Sequence, residues 1–86
     1  MRMSAAQRQS IVHATRQSFG DDARVWLFGS RVDLYVETNM SHPLMQELLC
    51  KLSIEESLDL HVDLVVNDNK SSNPIFKIAK STGVQL

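Results

Sequence analysis

Two apolar, β-prone runs stand almost back to back in this chain. Val25-Trp26-Leu27-Phe28 and Val32-Asp33-Leu34-Tyr35-Val36 are separated only by Gly29-Ser30-Arg31. Joining parallel strands takes a crossover of about a dozen residues or more, so a gap this short permits only an antiparallel hairpin. Valine and the aromatic side chains suit a pleated, half-buried surface, which predicts strands over 24–28 and 32–38. Alternation along the second strand sets Asp33, Tyr35 and Glu37 on one face and Val32, Leu34 and Val36 on the other.

The rest of the chain divides around this hairpin. Ser4 followed by Gln7 is a capping-box pattern. Behind it, Ala5, Ile11, Val12, Ala14, Thr15 and Phe19 form an apolar stripe at helical spacing. A helix over 4–19 is expected, closed by a left-handed Gly20. Residues 39–43 read as a loop in which Ser41 or His42 caps and Pro43 opens a second helix. Leu44, Met45, Leu48, Leu49 and Leu52 are its expected inner face, with an end near Leu52 or Glu55 and 53–58 ambiguous. A third strand is expected over 61–66. A polar loop follows, then Asn73 as a cap and a last helix from Pro74, with Ile75, Ile78 and Ala79 inward and Gly83 as its stop. The second and third strands are joined through a helix, so they should be parallel with a right-handed crossover. The expected fold is α/β (α+β), a small mixed three-stranded sheet flanked by helices in the order α-β-β-α-β-α, as a single domain over 1–86.

Composition narrows the function classes. The net charge is -1, which argues against a nucleic-acid partner, since any such binding would have to be local. The chain has one cysteine, so no intramolecular disulfide can form, and a cytoplasmic setting is expected. No run approaches the ~18 apolar residues of a membrane span, and no apolar segment follows Met1-Arg2-Met3-Ser4 as a secretory signal would require. An 86-residue domain buries a modest core, so a partner protein or a homo-oligomer would help it stay folded.

A few residues carry possible chemistry. A strand that delivers Gly29-Ser30 to its end can aim backbone N–H groups and a hydroxyl at a phosphate, and Gly29 allows close approach. Arg31 reads equally as a phosphate ligand or an exposed turn residue. Asp33 and Asp63 interrupt apolar strands, where an unpaired charge is costly, which favours an edge or a site over the core. Carboxylates on neighbouring strands can hold a divalent ion. For other residues the ordinary reading prevails. Glu37 reads as solvated, His61 as a surface residue, and Trp26, Phe28 and Phe76 as core. Cys50 reads as a small buried hydrophobe. His13 and His42 show no metal-ligand spacing with each other or with Cys50.

Four segments in order resemble the minimal nucleotidyltransferases, the small branch of the DNA polymerase beta-like superfamily. Trp26-Leu27-Phe28-Gly29-Ser30-Arg31 is similar to that family's strand and Gly-Ser signature. Asp33-Leu34-Tyr35-Val36 is similar to the end of its Asp-x-Asp strand. Val62-Asp63-Leu64-Val65 is similar to the strand bearing its third carboxylate, and Pro74 to Val84 to its closing helix. The resemblance covers about Ala23 to the end. It implies transfer of AMP from ATP to an acceptor hydroxyl with Mg²⁺. Gly29, Ser30 and Arg31 would then contact the nucleotide, and Asp33 and Asp63 would act as catalytic metal ligands. It also implies a cytoplasmic, antitoxin-like half of a two-component pair with a helical partner protein.

The chain departs from that family at one place. The family has a longer spacer after Gly-Ser, opening as a short helix whose N-terminus faces the phosphates. Here only Arg31 and Val32 precede Asp33, and Arg31 holds the position of the first aspartate, where a cation would repel Mg²⁺. Either a segment is missing between Ser30 and Asp33, or the chain is continuous and is a catalytically inactive subunit of the same fold that holds a partner. A missing segment would break the Cα spacing of about 3.8 Å across residues 30–34. A third reading is an unrelated small α/β interaction domain, in which the Asp33 and Asp63 carboxylates lie far apart.

Overall fold

A computed structural model describes residues 3–29, 32–39, 44–67 and 74–86. Its elements run α1 (Ala5–Phe19), β1 (Arg24–Phe28), β2 (Asp33–Glu37), α2 (Leu44–Leu58), β3 (Asp63–Asn67), α3 (Pro74–Thr82) and β4 (Val84–Gln85). The sheet has four strands in the order β3-β2-β1-β4. β1 pairs antiparallel with β2, from Arg24 against Glu37 to Phe28 against Asp33. Ser30 and Arg31 lie outside the described residues, as do Ser41, His42, Pro43 and Asn73. β2 and β3 are parallel, joined through α2, as a helical connection requires.

α1 begins as the sequence indicates. Ser4 Oγ accepts from the Gln7 N–H at 3.1 Å, and Gln7 Oε1 accepts from the Ser4 N–H at 3.0 Å. Gly20 closes the helix with φ 99° and ψ 164°, a positive φ but not the left-handed helical geometry expected of it. Its N–H donates to Arg16 O.

The sheet is packed on both faces. One carries Val25, Leu34 and Val36 against Ile11, Ala14 and Phe19 of α1 and Cys50, Ile54 and Leu58 of α2. The other carries Trp26, Tyr35, Phe28 and Val65 against Phe76 and Ala79 of α3. Buried polar groups are satisfied: Thr15 Oγ1 donates to Ile11 O at 2.7 Å and Thr38 Oγ1 to Phe19 O at 3.0 Å.

Several expectations are corrected. The sheet has a fourth strand, β4, so the element order ends in β instead of α. Two residues are too short to show a period; β4 exists because Gly83 turns the chain back along β1, where Leu86 N–H donates to Val25 O at 2.9 Å. β2 and β3 are also shifted, starting at Asp33 and Asp63 instead of at 32 and 61.

The second correction concerns α2, whose leucines face outward. Leu44, Met45, Leu48, Leu49 and Leu52 are 46% to 70% exposed, while Cys50, Ile54 and Leu58 are buried. Two apolar stripes exist on this helix, and periodicity cannot rank them. Polar anchors and small residues choose: Gln46 Nε2 donates to Ser18 O at 2.9 Å, Glu55 Oε2 accepts from Val62 N–H at 2.9 Å, and Cys50 lies against Ala14 of α1. Rotating the leucines inward would break all three.

Third, α2 runs through 53–58 to Leu58, and Asp59 follows with φ 54°, a left-handed residue that ends it. Fourth, Ile75 and Ile78 of α3 are exposed, and the inner residues are Phe76 and Ala79. Phe76 and Ala79 fall on one helical face with Lys80 and Gly83, and that face stacks on the aromatic side of the sheet.

Cys50 is buried, as expected. Burial pushes its thiol up from the ordinary 9.0, with a hydrogen bond to Ser18 opposing. Burial likewise raises the Tyr35 phenol from 10.0; the Asn67 hydrogen bond lowers it and Glu37 raises it. Both groups are neutral when protonated, so their contribution to stability is complete below the unfolded pKa and lost as pH rises through the folded one. The urea midpoint should therefore be flat between pH 7 and 8 and fall above about pH 9. Over the flat range a thiol reagent should label Cys50 only on unfolding. A midpoint that rises into alkali, or rapid native labelling, would contradict this.

Candidate functional site

The hairpin and the α2 crossover bring Asp33 and Asp63 together. They are direct partners in the parallel β2–β3 register. Neighbouring strands lie about 4.8 Å apart, and residues at one register position project from the same face. Both aspartates therefore sit at the first position of their strands, on the face that also carries Tyr35 and Val65. Asp33 is half-buried and Asp63 exposed.

Gly29 completes this end of the sheet. It has φ 78°, which glycine adopts freely, and a Cβ placed on it would overlap Asp33 Oδ2. The absent side chain is the space the carboxylate occupies. Gly29 thus both turns the hairpin and admits Asp33 over the backbone. Ser30 and Arg31, the other two expected nucleotide contacts, lie outside the described residues.

A groove of about 430 Å³ runs beside Asp63, lined by Leu44, Glu47, Leu48, Lys51, Asp63, Leu64 and Val65. It wraps the outer edge of β3. Among the described residues, no group of three or more His, Cys, Asp and Glu side chains is placed to hold a metal ion. Two carboxylates still suit Mg²⁺, which commonly takes one or two from protein and the rest of its ligands from phosphates and water.

His61 does not join the pair. Its side chain is 82% exposed, and Nδ1 lies 2.9 Å from Glu55 Oε2, at the end of α2. Glu37, on the aspartates' face, sits at the far end of β2 and is not simply solvated. Its Oε2 accepts from Tyr35 Oη at 3.1 Å and from Lys80 Nζ at 3.0 Å. Tyr35 Oη in turn accepts from Asn67 Nδ2 at 3.2 Å, and Lys80 Nζ sits 5.3 Å from the centre of the Trp26 ring. Lys80 and Asn67 carry no signal in the sequence, because their partners are 43 and 32 residues away. This network ties α3 to the sheet and keeps the far end apart from the aspartates.

No protein-family model, curated protein or solved structure matches the chain. The residues themselves define a small α+β protein with a paired-carboxylate sheet end next to a glycine turn. No helix among the described residues is long and apolar enough to cross a membrane.

Proposed function

We propose that this chain is a nucleotidyltransferase-type domain that binds Mg²⁺–ATP at the sheet end formed by Gly29, Asp33 and Asp63 and passes AMP to an acceptor hydroxyl. The observation that carries the reading is the direct register pairing of Asp33 with Asp63, which places two aspartates at one position of neighbouring strands, at the sheet end that also holds the Gly29 turn. Asp33 and Asp63 would hold the ion. When bound, Mg²⁺ neutralises phosphate charge and helps pyrophosphate leave. Gly29, having no side chain, leaves the space over the turn that the Asp33 carboxylate occupies. In the transfer, the acceptor oxygen bonds to the α-phosphorus, the bond to the pyrophosphate oxygen breaks, and the acceptor proton is released.

A second reading is a nucleotidyltransferase-fold subunit without chemistry that holds another protein. Two observations favour it: Arg31 stands where a third carboxylate would be needed, and α2 exposes a leucine stripe.

One titration separates them. Isothermal titration with ATP should give heat only when Mg²⁺ is present. Asp63→Asn should weaken binding by at least tenfold, and Gly29→Ala should do the same by displacing the Asp33 carboxylate. Asp63 is exposed, so the folded state should survive its substitution. With α-labelled ATP and Mg²⁺, label on an acceptor supports transfer. Mg²⁺-dependent binding without transfer supports the inactive reading. ATP binding indifferent to Mg²⁺ and to Asp63→Asn would sink the proposed site.

A further inference from the structure

β3 is the outer strand of the sheet, and among the described residues no strand pairs with its far edge. Asp63 N–H donates to Val32 O, and Asn67 O accepts from Thr38 N–H, so these residues turn their peptide groups toward β2. By alternation, Leu64 and Val66 turn theirs outward. The edge reads Asp63-Leu64-Val65-Val66-Asn67, with none of the lysines or prolines that commonly block edge pairing. Beside it α2 presents Leu44, Leu48 and Leu52, a straight ridge at four-residue spacing. Leu44 and Leu48 line the same groove as Leu64 and Val65, so the ridge and the strand edge form one continuous surface.

We infer that this surface pairs with a second copy of the chain about a two-fold axis, joining β3 to β3 antiparallel and packing α2 against α2. The surface is complementary to itself in three respects. An antiparallel edge centred on Val65 sets Leu64 opposite Val66 of the second copy, and these are the residues whose peptide groups point outward. A helix ridge reversed about Leu48 sets Leu44 opposite Leu52 and Leu48 against itself. Glu47 and Lys51 flank Leu48 and line the groove, so the same reversal brings Glu47 of one copy toward Lys51 of the other. The charge pattern fits a two-fold related copy, since one partner supplies both signs in the reversed order. The two centres, Leu48 and Val65, share the groove, as one axis requires. The association needs neither nucleotide nor metal, so its test is independent of the proposed transfer.

Sedimentation and light scattering of the full chain over micromolar to millimolar concentrations test the pairing. The wild type should approach twice its 9.7 kDa mass. Leu48→Glu places like charges on the axis and should weaken association about a hundredfold or more. Leu48 is 46% exposed, and circular dichroism checks that the variant keeps its fold. Glu47→Lys and Lys51→Glu should each weaken the dimer, and the double reversal should restore it. Amide exchange at Leu64 and Val66 should slow with rising concentration in the wild type and stay fast in Leu48→Glu. A wild type that remains at 9.7 kDa throughout overturns the pairing and leaves the face to a different protein. A dimer that persists unchanged in Leu48→Glu, or a double reversal weaker than either single one, overturns the two-fold arrangement.

Discussion

Gly83→Ala should destabilise this protein by about 3 kcal/mol, the upper end for overpacking by a single methyl group. A Cβ at residue 83 would stand 2.5 Å from Ala79 O and 2.8 Å from Leu27 O. Both are backbone oxygens. The first belongs to the last turn of α3 and the second to β1, so neither can rotate aside as a side-chain tip would. Relief requires moving the end of α3 off β1. That shift pulls β4 from its pairing with Trp26 and Leu27 and loosens the hydrogen bond from Gly83 N–H to Ala79 O. Domains of this length hold roughly 4–13 kcal/mol in total, so the loss is a large share. With a urea slope of about 1–3 kcal/mol/M, the midpoint should fall by at least about 1 M. Trp26 is the only tryptophan and lies under α3, so its fluorescence reports the transition at the affected interface. A midpoint within about 0.3 M of wild type would show that the junction yields easily, against the close approach described above.

Tyr35→Ala should cost about 4 kcal/mol. The ring is 1% exposed and links α3 to the sheet. It stacks on Phe76 at 5.3 Å between centroids and tilts against Trp26 at 5.4 Å. Each such pair is worth about 0.5–1.5 kcal/mol beyond the area buried. Its hydroxyl also stands between Glu37 and Asn67. Tyr35→Phe keeps both ring contacts and removes only the hydroxyl, so about 1 kcal/mol is expected. The large gap between the two substitutions would locate the stability in the aromatic packing. Equal losses from both would place it in the polar network instead.

These two residues also mark the limits of sequence reasoning. Tyr35 was legible: alternation placed Asp33 and Glu37 on its face, and the continuous strand Asp33–Glu37 with the Tyr35–Glu37 hydrogen bond agrees. Gly83 was legible as a helix stop, but not as the contact that sets α3 against β1. The aspartate pair was partly legible. A short hairpin and a helical crossover require Asp33 and Asp63 to lie on neighbouring strands, yet neither states the register. Pairing one residue further along would have set the two carboxylates on opposite faces. The largest misreading was α2. Leucine is a strong inward signal on average, and two leucines or methionines in succession fit one broad stripe. The narrower Cys50-Ile54-Leu58 stripe went inside because α1 offers Ala14 and the Ser18 carbonyl at that distance.

Local spacing determined the capping box of α1, the hairpin, the parallel crossover and the glycine beyond β1, because each depends on residues within a few positions of one another or on the length of a connection. Tertiary structure alone decided which stripe of α2 faces the core, that β4 closes the sheet, and that Asp33 stands level with Asp63. Each of those is settled by a partner far along the chain, whose packing or hydrogen bond outweighs a local preference worth only tenths of a kcal/mol.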